Sequence, residues 1–228
     1  MYSDGTYLQN NPDWHAGGSA WKAGQIATML HRNGVRPADV CEIGCGAGEV
    51  LIELANRLPN GVRFSGYEIS SDAYAICAAK STSTIEFQHA DMLTLDRHFD
   101  VALAIDVFEH VEDYLDFLRR LRQKARYKIF HIPLELSWLM LARSNSLLDM
   151  RRSVGHLHHF SKETALATLE DAGYTVYEYV YTAAFNSGLY ELTWKQRMLR
   201  NPRRAFARIA PDSAARIMGG YSLLVLAE

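Results

Sequence analysis

The chain has 228 residues, 48% of them hydrophobic and 22% charged, with a formal net charge of −2. That length suits one α/β domain with a continuous core, and the composition excludes a disordered or fibrous protein. The near-neutral charge argues against a nucleic-acid partner, and no apolar run of about 18 residues is present to span a membrane.

Residues 1–37 precede the first predicted strand. They begin without the basic and apolar parts of a signal peptide. They carry Trp14, His15 and Trp21, and a helix over 19–32 presents Trp21, Ile26, Met29 and Leu30. The segment reads either as a helix packed on the sheet edge or as a helical lid that keeps water from a ligand.

The most telling stretch follows. Val40 to Ile43 is an apolar strand carrying one acid, Glu42, and it breaks into Gly44, Gly46 and Gly48. A helix then shows Val50, Leu51, Leu54, Ala55 and Leu58 on one face. Glycines let the backbone turn sharply and let a ligand approach main-chain N–H groups at the helix start. A dinucleotide fingerprint needs a further glycine at position 49, which is Glu here. Glu42 and Glu49 would both face a pyrophosphate unfavourably. They suit a ligand with an ammonium and a sulfonium, which is S-adenosylmethionine.

Downstream elements alternate. A second strand over 63–67 ends at Glu68 and Ile69, where an acid can accept both hydroxyls of a ribose. Ser70 or Ser71 caps a helix running to Lys80. A third strand, 85–88, leads to Asp91 and Met92, which suit an adenine. A fourth, 99–105, ends at Asp106. The helix 113–126 turns Tyr114, Leu115, Phe117, Leu118 and Leu121 inward, and a fifth strand, 128–132, stops at Pro133. Ser161 caps a helix over 162–172 that Gly173 ends. A sixth strand covers 175–181 and a last one 222–227. Strands alternating with helices predict a mostly parallel sheet covered on both faces. The cysteines, Cys41, Cys45 and Cys77, have neither disulfide nor zinc spacing; they read as buried fillers in a reducing, cytoplasmic protein.

Two clusters suggest chemistry. Asp106, Glu109 and His110 share one face if the chain turns helical after the fourth strand. With a distant imidazole, His159, they form a candidate site for Mg²⁺ or Mn²⁺. Without metal, His110, His158 or His159 is a candidate general base. Between the last two strands, residues 182–220 hold Lys195, Arg197, Arg200, Arg203, Arg204, Arg208 and Arg216 against two acids, Glu191 and Asp212. Pro202 and Pro211 divide this basic amphipathic insertion into short helices, which suits an anionic acceptor, a membrane surface or a partner subunit.

Taken together, Glu42-Ile43-Gly44-Cys45-Gly46-Ala47-Gly48, Gly66-Tyr67-Glu68, Ala90-Asp91-Met92, Asp106 to Val111, and Gly155 to Ser161 resemble class I S-adenosylmethionine-dependent methyltransferases. The resemblance covers roughly residues 38–181 and the last strand. It implies a Rossmann-like seven-stranded α/β sheet whose last strand is antiparallel and inserted between the fifth and sixth. It also implies a cofactor site of Glu42, Gly44, Cys45, Gly46, Gly48, Glu68, Ile69, Asp91, Met92 and Asp106. The Asp106–Glu109–His110 spacing is similar to the E-x-x-E-H motif of metal-dependent O-methyltransferases, except that Asp106 replaces a glutamate. The expected reaction is O-methylation of a small hydroxylated acceptor, a sugar or glycoconjugate precursor. N-methylation of an amino sugar, RNA methylation and a non-catalytic cofactor-binding scaffold are the rival readings. The oligomeric state is open, a homodimer included.

Overall fold

The computed structural model describes residues 16–183 and 194–228. Trp14, His15 and residues 184–193 of the basic insertion lie outside the described residues.

Seven strands form one sheet: β1 (Asp39–Ile43), β2 (Arg63–Glu68), β3 (Ile85–His89), β4 (Phe99–Ile105), β5 (Ala125–Leu134), β6 (Val176–Thr182) and β7 (Tyr221–Ala227). Their order is β3-β2-β1-β4-β5-β7-β6. Strands β1 to β5 pair in parallel, and β7 runs antiparallel between β5 and β6. This is the expected topology, including the inserted last strand.

Side-chain alternation sorts the strands onto two cores. Val40, Val101, Leu103, Ile129 and Leu224 face one side, where they meet α1 (Ser19–Arg32), α2 (Glu49–Ala55) and α3 (Ser71–Ala78). Cys41, Ala102, Ala104, Phe130 and Val225 face the other, against α4 (Tyr114–Arg122) and α7 (Lys162–Asp171). Two short helices, α5 (Trp138–Leu141) and α6 (Ser146–Ser153), lie between β5 and α7. Two more, α8 (Trp194–Ile209) and α9 (Pro211–Met218), precede β7.

Helix α1 has the expected bounds and buries Ala23, Ile26, Met29 and Leu30 against the sheet. Ile26, Met29 and Leu30 each contribute about 1.5–3 kcal/mol when fully buried. Helix α7 starts on a capping box between Ser161 and Thr164, and Gly173 follows it with φ 88°.

Three expectations need correction. Helix α4 ends at Arg122, because Ala125 and Arg126 belong to β5. Strand β5 runs through Pro133 to Leu134. The ladder with β4 stops at Ile105–His131, so Pro133 pairs on the β7 side alone, and a residue without an N–H is tolerated there. Pro202 lies inside α8 rather than ending it, whereas Pro211 does open α9.

Candidate active site

The sheet reverses its strand order between β1 and β4, and a cavity of about 230 Å³ opens at the carboxyl ends of β1, β2 and β4. Open α/β sheets bind ligands at such switch points. Glu42, Gly44, Cys45, Gly46, Glu68, Ile69, Asp106 and His110 line it, together with Lys22 from α1 and Glu49 from α2.

The glycine turn is tied to β2: the N–H groups of Gly44 and Cys45 both donate to the Tyr67 carbonyl, at 2.8 and 3.1 Å. Gly44, Gly46 and Gly48 all have positive φ, but they serve differently. Gly48 does not line the cavity. A Cβ there would lie 2.6 Å from the Phe87 ring, so this glycine lets α2 pack on the sheet. Glu68 is held at both oxygens, accepting from the N–H groups of Gly46 and Ser70 at 2.8 Å each. Glu49 is neutralised by Lys80 at 2.5 Å, so it is not the second bare anion expected from the sequence.

Glu42 is different. It is buried, and its Oε2 has no hydrogen-bond partner. Burial pushes its carboxyl well above the usual range, only partly countered by Lys22. A cationic group entering the cavity would restore its charge. Asp91 and Met92 stand away from the cavity wall: Asp91 caps a 3₁₀ turn by accepting from Leu93 N–H at 2.9 Å, and Met92 is fully buried.

Asp106 does not begin a helix. It has φ 55°, and its N–H donates to the His131 carbonyl at 2.9 Å. Its carboxylate takes Lys22 Nζ at 2.6 Å and His131 Nδ1 at 2.5 Å, while His131 Nε2 reaches Thr182 Oγ1 at 2.9 Å. Burial opposes the charge on Asp106, but His131 and Lys22 hold the carboxyl far below its ordinary range. Asp106 thus joins α1, β4 and β5, a link that neither Lys22 nor His131 announces in the sequence.

After Asp106 the chain makes a single 3₁₀ turn, Phe108–His110. The Glu109 carbonyl accepts from the N–H groups of Leu157 and His158, at 2.8 and 3.1 Å, which brings the later histidines back to this turn. Among the described residues, Glu109, His110 and His156 form a group whose ligand atoms all lie within 4.8 Å of one another. Asp106 and His159, expected as ligands, are engaged elsewhere: Asp106 as above, His159 through Nδ1 on Glu135. His156 Nδ1 donates to the other oxygen of Glu135 at 2.7 Å. His110 Nδ1 donates to the Gly155 carbonyl at 3.1 Å. Both acceptors lack protons, so each imidazole donates through Nδ1 and leaves Nε2 as its other ring nitrogen. His158 Nε2 donates to the Val111 carbonyl at 3.0 Å.

Glu109 is 1% exposed, and neither carboxylate oxygen has a hydrogen-bond partner. Burial, then the charge on Asp106, pushes its carboxyl well above the usual range. Burial and the neighbouring His156 lower His110 to about 4, so it is neutral near pH 7. The neutral His110 imidazole and the His156 ring beside an orphaned buried carboxyl fit a divalent cation. Of the three, His110 lines the cavity.

The family model for a methyltransferase domain matches residues 20–179. The chain is 27% identical to the ubiquinone biosynthesis O-methyltransferase of Rickettsia typhi over 99 residues, 42% of this chain and 40% of that protein. It is 30% identical to the norajmaline N-methyltransferase of Rauvolfia serpentina over 98 residues, 40% of this chain and 33% of that one. The matched stretches therefore span less than half of either curated relative. In fold, the chain is similar to the magnesium protoporphyrin IX methyltransferase of Synechocystis PCC 6803, solved with bound S-adenosylhomocysteine. The TM-score is 0.62 at 17% identity, covering 92% of this chain and 83% of the other. Glycine turn, switch-point cavity and family match agree: the chain belongs to the methyltransferase domain family, as a class I S-adenosylmethionine-dependent methyltransferase.

Proposed function

We propose that this protein moves the methyl group of S-adenosylmethionine onto a hydroxyl oxygen of a small polar acceptor, a sugar or glycoconjugate precursor, with Mn²⁺ or Mg²⁺ seated on Glu109, His110 and His156. The single observation that carries the reading is Glu109. A carboxyl shut away from water with neither oxygen partnered is costly unless a cation joins it. Two imidazoles and a carboxylate suit Mn²⁺ better than Mg²⁺, which prefers oxygen ligands.

In this reading the cofactor's ammonium meets Glu42, its ribose hydroxyls use the remaining lone pairs of Glu68, and Ile69 covers the adenine. The acceptor oxygen forms a bond to the methyl carbon as the carbon–sulfur bond breaks, and the hydroxyl proton must leave. A bound cation would lower the pKa of that hydroxyl and hold a neighbouring one. Glu135 fixes the rings of His156 and His159. His159, held through Nδ1 on Glu135, is the candidate proton acceptor.

Stripping divalent ions with EDTA and assaying S-adenosylhomocysteine release from a panel of sugars tests the reading. Release should stop and return with Mn²⁺. Full activity without metal would remove the cation from the mechanism. N-methylation of an amino sugar is the second reading. It is favoured by the wall itself, where Glu42 and Glu68 lie beside the Lys22–Asp106 pair and attract a protonated amine. Turnover of amino sugars alone, insensitive to EDTA, would select it.

A further inference from the structure

Helices α5 and α6 bury no side chain fully. Neither contains a buried residue, although residues 138–153 include Trp138, Leu139, Met140, Leu141, Leu147, Leu148 and Met150. Apolar helices of a globular domain ordinarily turn such side chains inward. Here Trp138 is 71% exposed. Helix α9 packs on both α5 and α8, and α5 packs on α6, so the four helices form one continuous cluster. Ten large hydrophobic side chains are exposed among the described residues, and seven of them belong to this cluster. Clustered exposure of that kind marks an interaction site.

The charge of the same cluster decides what covers it. Residues 138–153 and 194–218 carry ten basic side chains against two acids, Asp149 and Asp212. The whole chain has a net charge of −2, so the remainder carries ten more acids than bases. Arg143, Arg151, Arg152 and Arg208 are exposed beside the apolar residues. A second copy docked through this same face would bring the same positive charge to the contact, and like charges repel. An anionic bilayer offers both complements, apolar depth for Trp138 and Leu139 and negative headgroups for the arginines.

We propose that α5, α6, α8 and α9 form a surface that binds the protein peripherally to anionic membranes. The helix pair α5–α6 leaves the fold just after Glu135 and returns just before His156, the two residues joined at 2.7 Å. The membrane-facing surface is therefore anchored beside the candidate active site. The proposal goes beyond the methyl transfer and does not depend on its acceptor or metal.

The test is co-sedimentation of the whole chain with vesicles of phosphatidylcholine, with and without phosphatidylglycerol. The protein should pellet with the anionic vesicles at least about tenfold more strongly than with the neutral ones, and less as salt rises. Two double variants keep the fold because they change exposed residues only: Trp138→Ser with Leu139→Ser, and Arg151→Glu with Arg152→Glu. Each should weaken vesicle binding about tenfold with an unchanged circular dichroism spectrum. Absence of binding to anionic vesicles overturns the proposal, as does binding that both variants leave intact. A dimer in sedimentation velocity, lost in the Trp138 variant while vesicles are ignored, assigns the surface to a second copy and overturns it as well.

Discussion

Two buried carboxyl groups, Glu42 at the cofactor end of the proposed site and Glu109 at its metal end, share a defect: each lacks a partner for at least one oxygen, and each is pushed toward its neutral form by burial. Their surroundings differ. Glu42 belongs to a strand end next to a glycine turn, with Lys22 as its nearest counter-charge. Glu109 belongs to a 3₁₀ turn beside two imidazoles, His110 and His156, that both donate through Nδ1. An ammonium is served well by a carboxylate and poorly by imidazole lone pairs; a divalent cation is served by both together. In the proposed reading, that difference assigns the same electrostatic cost to two different ligands, an organic cation at Glu42 and a metal at Glu109.

That division is most sharply tested by exchanging the charges. Glu42→Gln keeps the shape and removes the anion, and it should weaken S-adenosylhomocysteine binding by roughly 10–100-fold in calorimetry, the value of a charge-assisted contact. Glu109→Gln should leave that affinity within about threefold but abolish Mn²⁺ binding followed by electron paramagnetic resonance. Equal losses of cofactor affinity in the two variants would merge the two ends into one site. A smaller effect is expected at Glu135, which touches neither ligand in this reading. Glu135→Gln releases the His156 ring and should cost about 10–100-fold in Mn²⁺ affinity, with cofactor binding unchanged.

The two ends also differ in how far the sequence reveals them. The cofactor end is local: Glu42, the glycines and Glu68 lie within two strands and one turn, and hydrophobic alternation is enough to place them. Even there, the sequence misses that Gly48 serves packing against Phe87 and that Lys80 neutralises Glu49. The other end is assembled across the chain. Helical spacing wrongly grouped Asp106 with Glu109 and His110, because the left-handed backbone at Asp106 turns its carboxylate to Lys22 and His131 instead. Three histidines within four residues are equivalent on paper. The Glu109 carbonyl, by accepting from Leu157 and His158, selects His156 for the cluster and leaves His159 to Glu135. Glu135 itself was hidden beyond Pro133, where the strand was expected to have ended.

The smallest expected effect is on stability, and its sign follows from the proton balance. Glu42 and Glu109 have folded-state pKa values above those of the unfolded chain. Below about pH 4.5 both states are protonated and the groups are silent. As pH rises, the unfolded chain ionises first, so the folded state holds more protons and loses stability. Asp106, whose pKa is depressed, does the reverse and contributes stability that disappears as pH falls below about 4. The ligand-free protein should therefore melt at a lower temperature at pH 8 than at pH 6. Glu42→Gln and Glu109→Gln should each flatten that slope, and saturating S-adenosylhomocysteine or Mn²⁺ should each remove the part belonging to its own carboxyl. A melting temperature that is level between these pH values, or a slope untouched by either substitution, would mean that both carboxyls are already neutralised inside the protein and that neither end waits for a cation.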